Sequence, residues 1–139
     1  MILFHLDAHS GVAPYLQLVQ QVKQALRLGQ LQVGDQLPTV REVVEKLAIN
    51  PNTVLKAYRE LEHDGLIASR PGQGTFVVRT LAGASLASHA ALRRSLGRWL
   101  RSAREAGLDQ ESILALFLAT FRQGQNQAGE EEKEDEEMA

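Results

Sequence analysis

Two helix-start signals, set close together, constrain this chain more than any other feature of it. Thr39-Val40-Arg41-Glu42 forms a capping box, in which the threonine hydroxyl and the glutamate carboxylate are each expected to satisfy an orphan backbone N–H. Shortly after it, Asn50-Pro51 offers an N-cap followed by proline at the first helical position, where the missing N–H costs nothing. Only one short helix fits between them. Val40, Val43, Val44 and Leu47 fall at i, i+3, i+4 and i+7, so that helix buries one face and exposes Arg41, Glu42, Glu45 and Lys46. Ala48-Ile49 breaks the pattern. In the helix that follows, Val54, Ala57, Tyr58 and Leu61 repeat the same spacing and leave Asn52, Thr53, Lys56, Arg59 and Glu60 off the core, until Gly65 ends it.

The flanks complete the arrangement. Upstream, Pro14 opens a helix that Gly29 closes as a left-handed cap, with Tyr15, Leu18, Val19, Val22 and Leu26 as its apolar stripe. Val33-Gly34-Asp35 is a turn and Leu37-Pro38 a short extended piece. Downstream, two β-prone runs, 66–70 and 75–79, surround Pro71-Gly72-Gln73-Gly74, which signals a hairpin with a glycine-rich tip. Residues 81–87 form a small-residue joint. A fourth helix then presents Leu92, Leu96, Trp99, Ala103 and Ala106 on one face and Arg94, Arg98, Arg101 and Glu105 on another. Gly107-Leu108 reads as its stop, and Asp109 caps a last helix in which Ile113, Leu114, Leu116, Phe117, Leu118 and Phe121 leave little polar surface. Such a helix needs cover on more than one side, which points to an intermolecular interface. The expected fold class is mainly α with a small β wing: a winged helix-turn-helix over residues 1–80, a two-helix dimerisation region over 81–123, and a disordered acidic tail over 124–139.

Length and charge narrow the function. A chain of 139 residues leaves no room for a separate ligand-binding domain beside these elements. The lack of cysteine removes disulfides and thiolate chemistry and is compatible with a cytoplasmic setting. The N-terminus has no signal-peptide pattern, and no run approaches the roughly 18 apolar residues of a membrane span. The net charge of -2 is misleading. Glu130–Glu137 holds seven acidic residues and one lysine, so the rest of the chain carries 14 basic against 10 acidic residues. The acidic run reads as a solvated tail, with competition for the basic body as the alternative.

A helix of this kind enters the major groove when its N-terminal, outward side chains are compact and can hydrogen-bond to base edges. Asn50, Asn52 and Thr53 meet that demand. Arg41, Lys56 and Arg59 are suited to phosphate, Gly72 and Gly74 let the wing backbone approach a sugar-phosphate edge, and Arg70 reaches phosphate or minor groove. Competing assignments are blander. His5, His9, His63 and His89 are scattered without ligand spacing, so no metal and no cofactor is assigned. Asp35 and Glu42 serve a turn and a cap rather than acid-base chemistry. Trp99 lies in a continuous apolar stripe, which favours core or interface over a small-molecule pocket, and the arginine face reads as solvated surface. No enzymatic constellation emerges. An interaction adaptor and an RNA-binding role are the other classes, and the Asn52-Thr53 tip beside a glycine wing suits neither as well as it suits DNA.

Together, Gly34-Asp35-Gln36-Leu37-Pro38-Thr39-Val40-Arg41-Glu42, Asn50-Pro51-Asn52-Thr53-Val54, Ala57-Tyr58-Arg59-Glu60-Leu61-Glu62 and Gly72-Gln73-Gly74-Thr75-Phe76-Val77 resemble the DNA-binding domain of the GntR family, over residues 10–78. The resemblance implies a repressor that binds a pseudo-palindromic operator in double-stranded DNA as a homodimer. By motif position it places Arg41, Asn50, Asn52, Thr53 and Gly72 at the DNA, and Thr39, Lys56, Arg59 and Arg70 complete the expected contact set. Pro51 stands where some relatives carry arginine, so one base contact available to them is missing here. The region 81–122 is similar to the YtrA subfamily, in which two helices replace a large effector domain and whose members are associated with transporter operons. That similarity gives the two helices to dimerisation, for which their apolar stripes supply Leu92, Leu96, Trp99, Ile113, Leu114, Phe117 and Phe121, and any small-molecule effector is unknown.

Overall fold

The computed structural model describes residues 2–83 and 86–138, and the chain divides into two compact units, Met1–His89 and Ala90–Ala139. Its elements are α1 (Pro14–Arg27), α2 (Val40–Leu47), α3 (Pro51–His63), β1 (Ile67–Arg70), β2 (Gly74–Val77), α4 (Leu86–Glu105) and α5 (Gln110–Met138). The fold is mainly helical with a small β wing, as the sequence pattern predicts. Residues 84 and 85 of the expected joint lie outside the described residues.

Three helix ends share one device. After α1, Gly29 adopts φ 71° while the Gln30 N–H reaches back to the Ala25 carbonyl at 2.9 Å and the Gly29 N–H to Leu26 at 3.3 Å. Gly65 after α3 and Gly107 after α4 make the same paired bonds, Leu66 to Leu61 and Leu108 to Ala103. These are Schellman caps, which need a residue at positive φ and so select glycine.

The N-cap of α2 departs from expectation. Thr39 Oγ1 accepts the Glu42 N–H at 3.1 Å as anticipated, but the Glu42 carboxylate accepts the threonine hydroxyl at 3.2 Å instead of reaching the backbone. Half of the capping box therefore forms. At α3 the cap is complete, with Asn50 Oδ1 accepting the Asn52 N–H at 2.8 Å.

Leu18, Val19, Val22 and Leu26 of α1, Val43 of α2, and Val54, Ala57, Tyr58 and Leu61 of α3 meet in one core with Leu37, Leu66, Ile67 and Val77. β1 and β2 pair antiparallel from Ile67 opposite Val77 to Arg70 opposite Gly74. The far edge of β2 is covered by the segment before α2: Gly34 N–H donates to Val77, Val77 N–H to Asp35, and Leu37 N–H to Thr75, at 2.8 to 2.9 Å. The expected turn at 33–35 and extended piece at 37–38 thus also brace the wing.

An N-terminal arm, absent from the sequence reading, packs on the same core. Phe4 is buried, with Ile2 and Leu6 partly buried beside it. Gln21 exchanges two hydrogen bonds with the His5 backbone, and Gln17 does the same with Asp7. The buried amide of Gln17 also donates to Ser10 Oγ and the Val12 carbonyl. Its polar atoms are satisfied, which makes its burial tolerable.

In the second unit Asp109 Oδ1 accepts the Ser112 N–H at 2.8 Å, and hydrogen bonding from Ser112, side chain before backbone, holds the Asp109 carboxyl below its usual pKa. α5 continues through Gly124 and Gly129 to Met138 as an exposed helix, where the sequence reading expects disorder from 124 on. The cause is local. Gln, Ala, Glu and Lys are good helix formers, and extending an existing helix avoids the cost of nucleation.

The α2–α3 turn carries a local strain. Ala48, at φ 52° and ψ 48°, is the one non-glycine residue at positive φ among those described. A left-handed alanine costs about 1 to 2 kcal/mol, part of which glycine returns through a freer unfolded chain. Ala48→Gly is expected to raise stability by about 0.5 to 1 kcal/mol, read as a higher urea midpoint at unchanged slope. A lower midpoint would show that the turn is relaxed with alanine.

Candidate nucleic-acid interface

The core fixes what α3 shows to solvent. With Val54, Ala57, Tyr58 and Leu61 turned inward, Asn52, Lys56 and Arg59 lie exposed on the opposite side, at i, i+4 and i+7. His63 extends that stripe by one more turn, a residue that the sequence reading had only weighed as a ligand. Thr53 is half-buried at the first turn. The inward face is anchored by Tyr58, whose buried hydroxyl donates to the Pro38 carbonyl at 2.6 Å. Burial, with a smaller contribution from the Glu42 charge, pushes its pKa far above that of an ordinary phenol. The hydroxyl therefore stays a donor, tying α3 to the start of α2.

The proposed contact residues differ in how free they are. Asn50 has its side-chain oxygen engaged in the α3 cap, and Thr39 has its hydroxyl engaged with Glu42. Arg41 is exposed and pairs with Glu45 at 3.3 Å, an exposed i,i+4 pair of little strength that a phosphate can displace. Lys56 holds its ammonium 4.0 Å above the Tyr15 ring, and Arg70 sits 5.0 Å from the Phe76 ring centroid. Both are cation–π contacts, which orient the cation without neutralising it. Tyr15 sits in the apolar stripe of α1 and Phe76 in a β-prone run, so neither announces this role in the sequence.

At the wing tip Gly72 has φ 73° with open space where a Cβ would stand. Gly74 has φ 125°, and a Cβ there would lie 2.5 Å from Gln36 Nε2, the amide that donates to the Gln73 carbonyl at 3.2 Å. The tip is thus held from below by Gln36.

The assigned dimerisation residues fall into two groups. Ile113 is 8 % exposed and belongs to the interior of its own unit with Ala103. Leu92, Leu96, Trp99, Leu114, Phe117 and Phe121 are all substantially exposed, from 36 % at Trp99 to 67 % at Leu92. Leu96, Trp99, Leu116, Phe117 and Phe121 line an open apolar groove of about 580 Å³, with the two phenylalanine rings stacked at 6.1 Å. Among the described residues no group of three or more His, Cys, Asp or Glu gathers that could hold a metal ion, and no helix is long and apolar enough to cross a membrane.

Comparison with known proteins identifies the family. The family of bacterial regulatory proteins called the gntR family matches residues 14–77. The uncharacterized HTH-type transcriptional regulator YhcF of Bacillus subtilis (strain 168) is 34 % identical over 110 residues, spanning 79 % of this chain and 90 % of YhcF. The chain belongs to the gntR family. It is also similar to the HTH-type transcriptional repressor YtrA of the same organism, 41 % identical over 75 residues, a match that spans 54 % of this chain and 58 % of YtrA. A crystal structure of a transcriptional antiterminator from Listeria monocytogenes EGD-e aligns with a TM-score of 0.55 at 32 % identity, covering 86 % of this chain and 90 % of that one. The relatives named here are described as transcription regulators, not enzymes, and this chain is a transcriptional regulator of the gntR family.

The gntR-type wing yields a test of its own geometry. Gly74→Ala combines a backbone conformation disfavoured for any side chain with displacement of Gln36, and is expected to cost about 1 to 3 kcal/mol. Gly72→Asn, in open space and at a φ that asparagine tolerates, is expected to stay within about 0.5 kcal/mol of the parent. Equal urea midpoints for the two variants would contradict this account of the tip.

Proposed function

We propose that the chain is a repressor that binds a pseudo-palindromic operator in double-stranded DNA as a homodimer. The observation that carries this reading is the exposed stripe Asn52, Lys56 and Arg59 on α3, with the glycine-tipped wing and Arg70 in the same unit. Asn52 and Thr53 are the base readers at the positive end of the α3 dipole. Arg41, Lys56 and Arg59 neutralise phosphates, while Gly72 and Arg70 engage the flanking backbone or minor groove. Thr39 and Asn50 act at the same edge, chiefly by holding the helix starts that present the others. The similarity to YtrA-type regulators puts transporter operons first among the genes to examine, and genome-wide mapping of bound sites identifies the operator.

The dimer rests on the exposed apolar surface of α4 and α5. Each large side chain covered there contributes roughly 1.5 to 3 kcal/mol before the cost of association. A two-fold pair also sets two recognition helices on two half-sites in fixed register, where one winged helix reads only a few base pairs.

Asn52→Ala is expected to cost about 1 to 3 kcal/mol on the operator and little on random DNA. Arg41→Ala should weaken both, flattening the dependence of log K on log salt by about one unit. Equal losses for Asn52→Ala on both DNAs would remove it from base readout. Phe117→Asp with Phe121→Asp should shift sedimentation toward monomer and weaken operator binding. A parent chain that sediments as a monomer at micromolar concentration, with full operator affinity, would overturn the dimer.

A further inference from the structure

Leu55 of α3 is half-buried. At 3.6 residues per turn, Leu55 stands roughly 60° around the helix from Asn52 and roughly 40° from Arg59. It therefore borders the exposed polar stripe within two turns of the helix start, the part of a recognition helix that reaches base edges.

We propose that Leu55 reads a thymine through its C5-methyl group; the inference rests on the DNA-binding function proposed above. The chemistry leaves one candidate. A leucine side chain has no donor or acceptor, so placing it against guanine, adenine or cytosine edges in the major groove strips water from polar groups and returns nothing. The thymine methyl is the one apolar group that the major groove displays. Asn52, a turn away, discriminates by hydrogen bonding, so the two residues read neighbouring positions by different means. One thymine in each half-site follows from the two-fold arrangement.

The test uses the full-length chain and DNA selected by it from a random pool. Each thymine of the selected half-site is replaced in turn by deoxyuridine, which removes the methyl and keeps every hydrogen-bonding group. At one position the parent should lose about fourfold in affinity, the ratio that corresponds to one methyl group buried. Leu55→Ala, checked for unchanged thermal unfolding, should bind the thymine and deoxyuridine versions of that position equally while keeping its sensitivity to an Asn52-dependent base. No sensitive thymine in the parent, or an undiminished fourfold loss in Leu55→Ala, would overturn the role of Leu55 while leaving operator binding intact. A parent chain that selects no sequence at all would overturn the operator reading itself.

Discussion

Everything the first unit presents to solvent depends on where α3 sits relative to α2, and the hydrogen bond from Tyr58 to the Pro38 carbonyl fixes that relation. Both ends are buried or nearly so, so the bond is made in a medium where an unpaired carbonyl is costly. Its length of 2.6 Å leaves little play. The same tyrosine ring fills the core between Val54 and Leu61, so rotating α3 about its axis would break packing and hydrogen bond together. Ala48, at its left-handed φ, is the joint that lets the two helices meet at this spacing with only three residues between them.

Much of this was legible because the signals are local. The positions of α1, α2 and α3 follow from caps and apolar spacing, and the three Schellman glycines mark ends that the structure reproduces. What escaped the sequence was non-local or chemically ambiguous. The pairing of the segment 34–37 with β2 joins residues some forty positions apart, and no periodicity announces it. Glu42 has the right spacing for a full capping box, yet its carboxylate takes the threonine hydroxyl. For the acidic end of α5, composition weighed burial alone and missed that a helix already formed can extend through good helix formers. In the candidate site, the outward stripe was legible from the inward one; the rings that orient Lys56 and Arg70 were not, because aromatic residues at those positions read equally well as core.

The second unit inverts the logic of the first. There the apolar side chains outnumber the polar ones along α5 up to Phe121, yet of its large apolar residues only Ile113 is buried. The acidic run that follows places seven carboxylates on the last turns, against the negative end of the helix dipole. One helix thus carries a segment that seeks cover and a segment that refuses it, and the boundary between them lies within three turns of Phe121.

The arm held by Gln17 and Gln21 rests on a coincidence of two rulers. Four residues of helix rise about 6 Å and two residues of extended chain about 6.6 Å, so glutamines one turn apart meet alternate peptide groups of a segment running the opposite way. Both address the main chain and ignore the side chains of His5 and Asp7. Docking is therefore nearly blind to the arm's sequence apart from its inward positions at Ile2, Phe4 and Leu6. The outward positions of the arm are free to drift, and new chemistry can be written there beside α1 without loosening the fold that carries it.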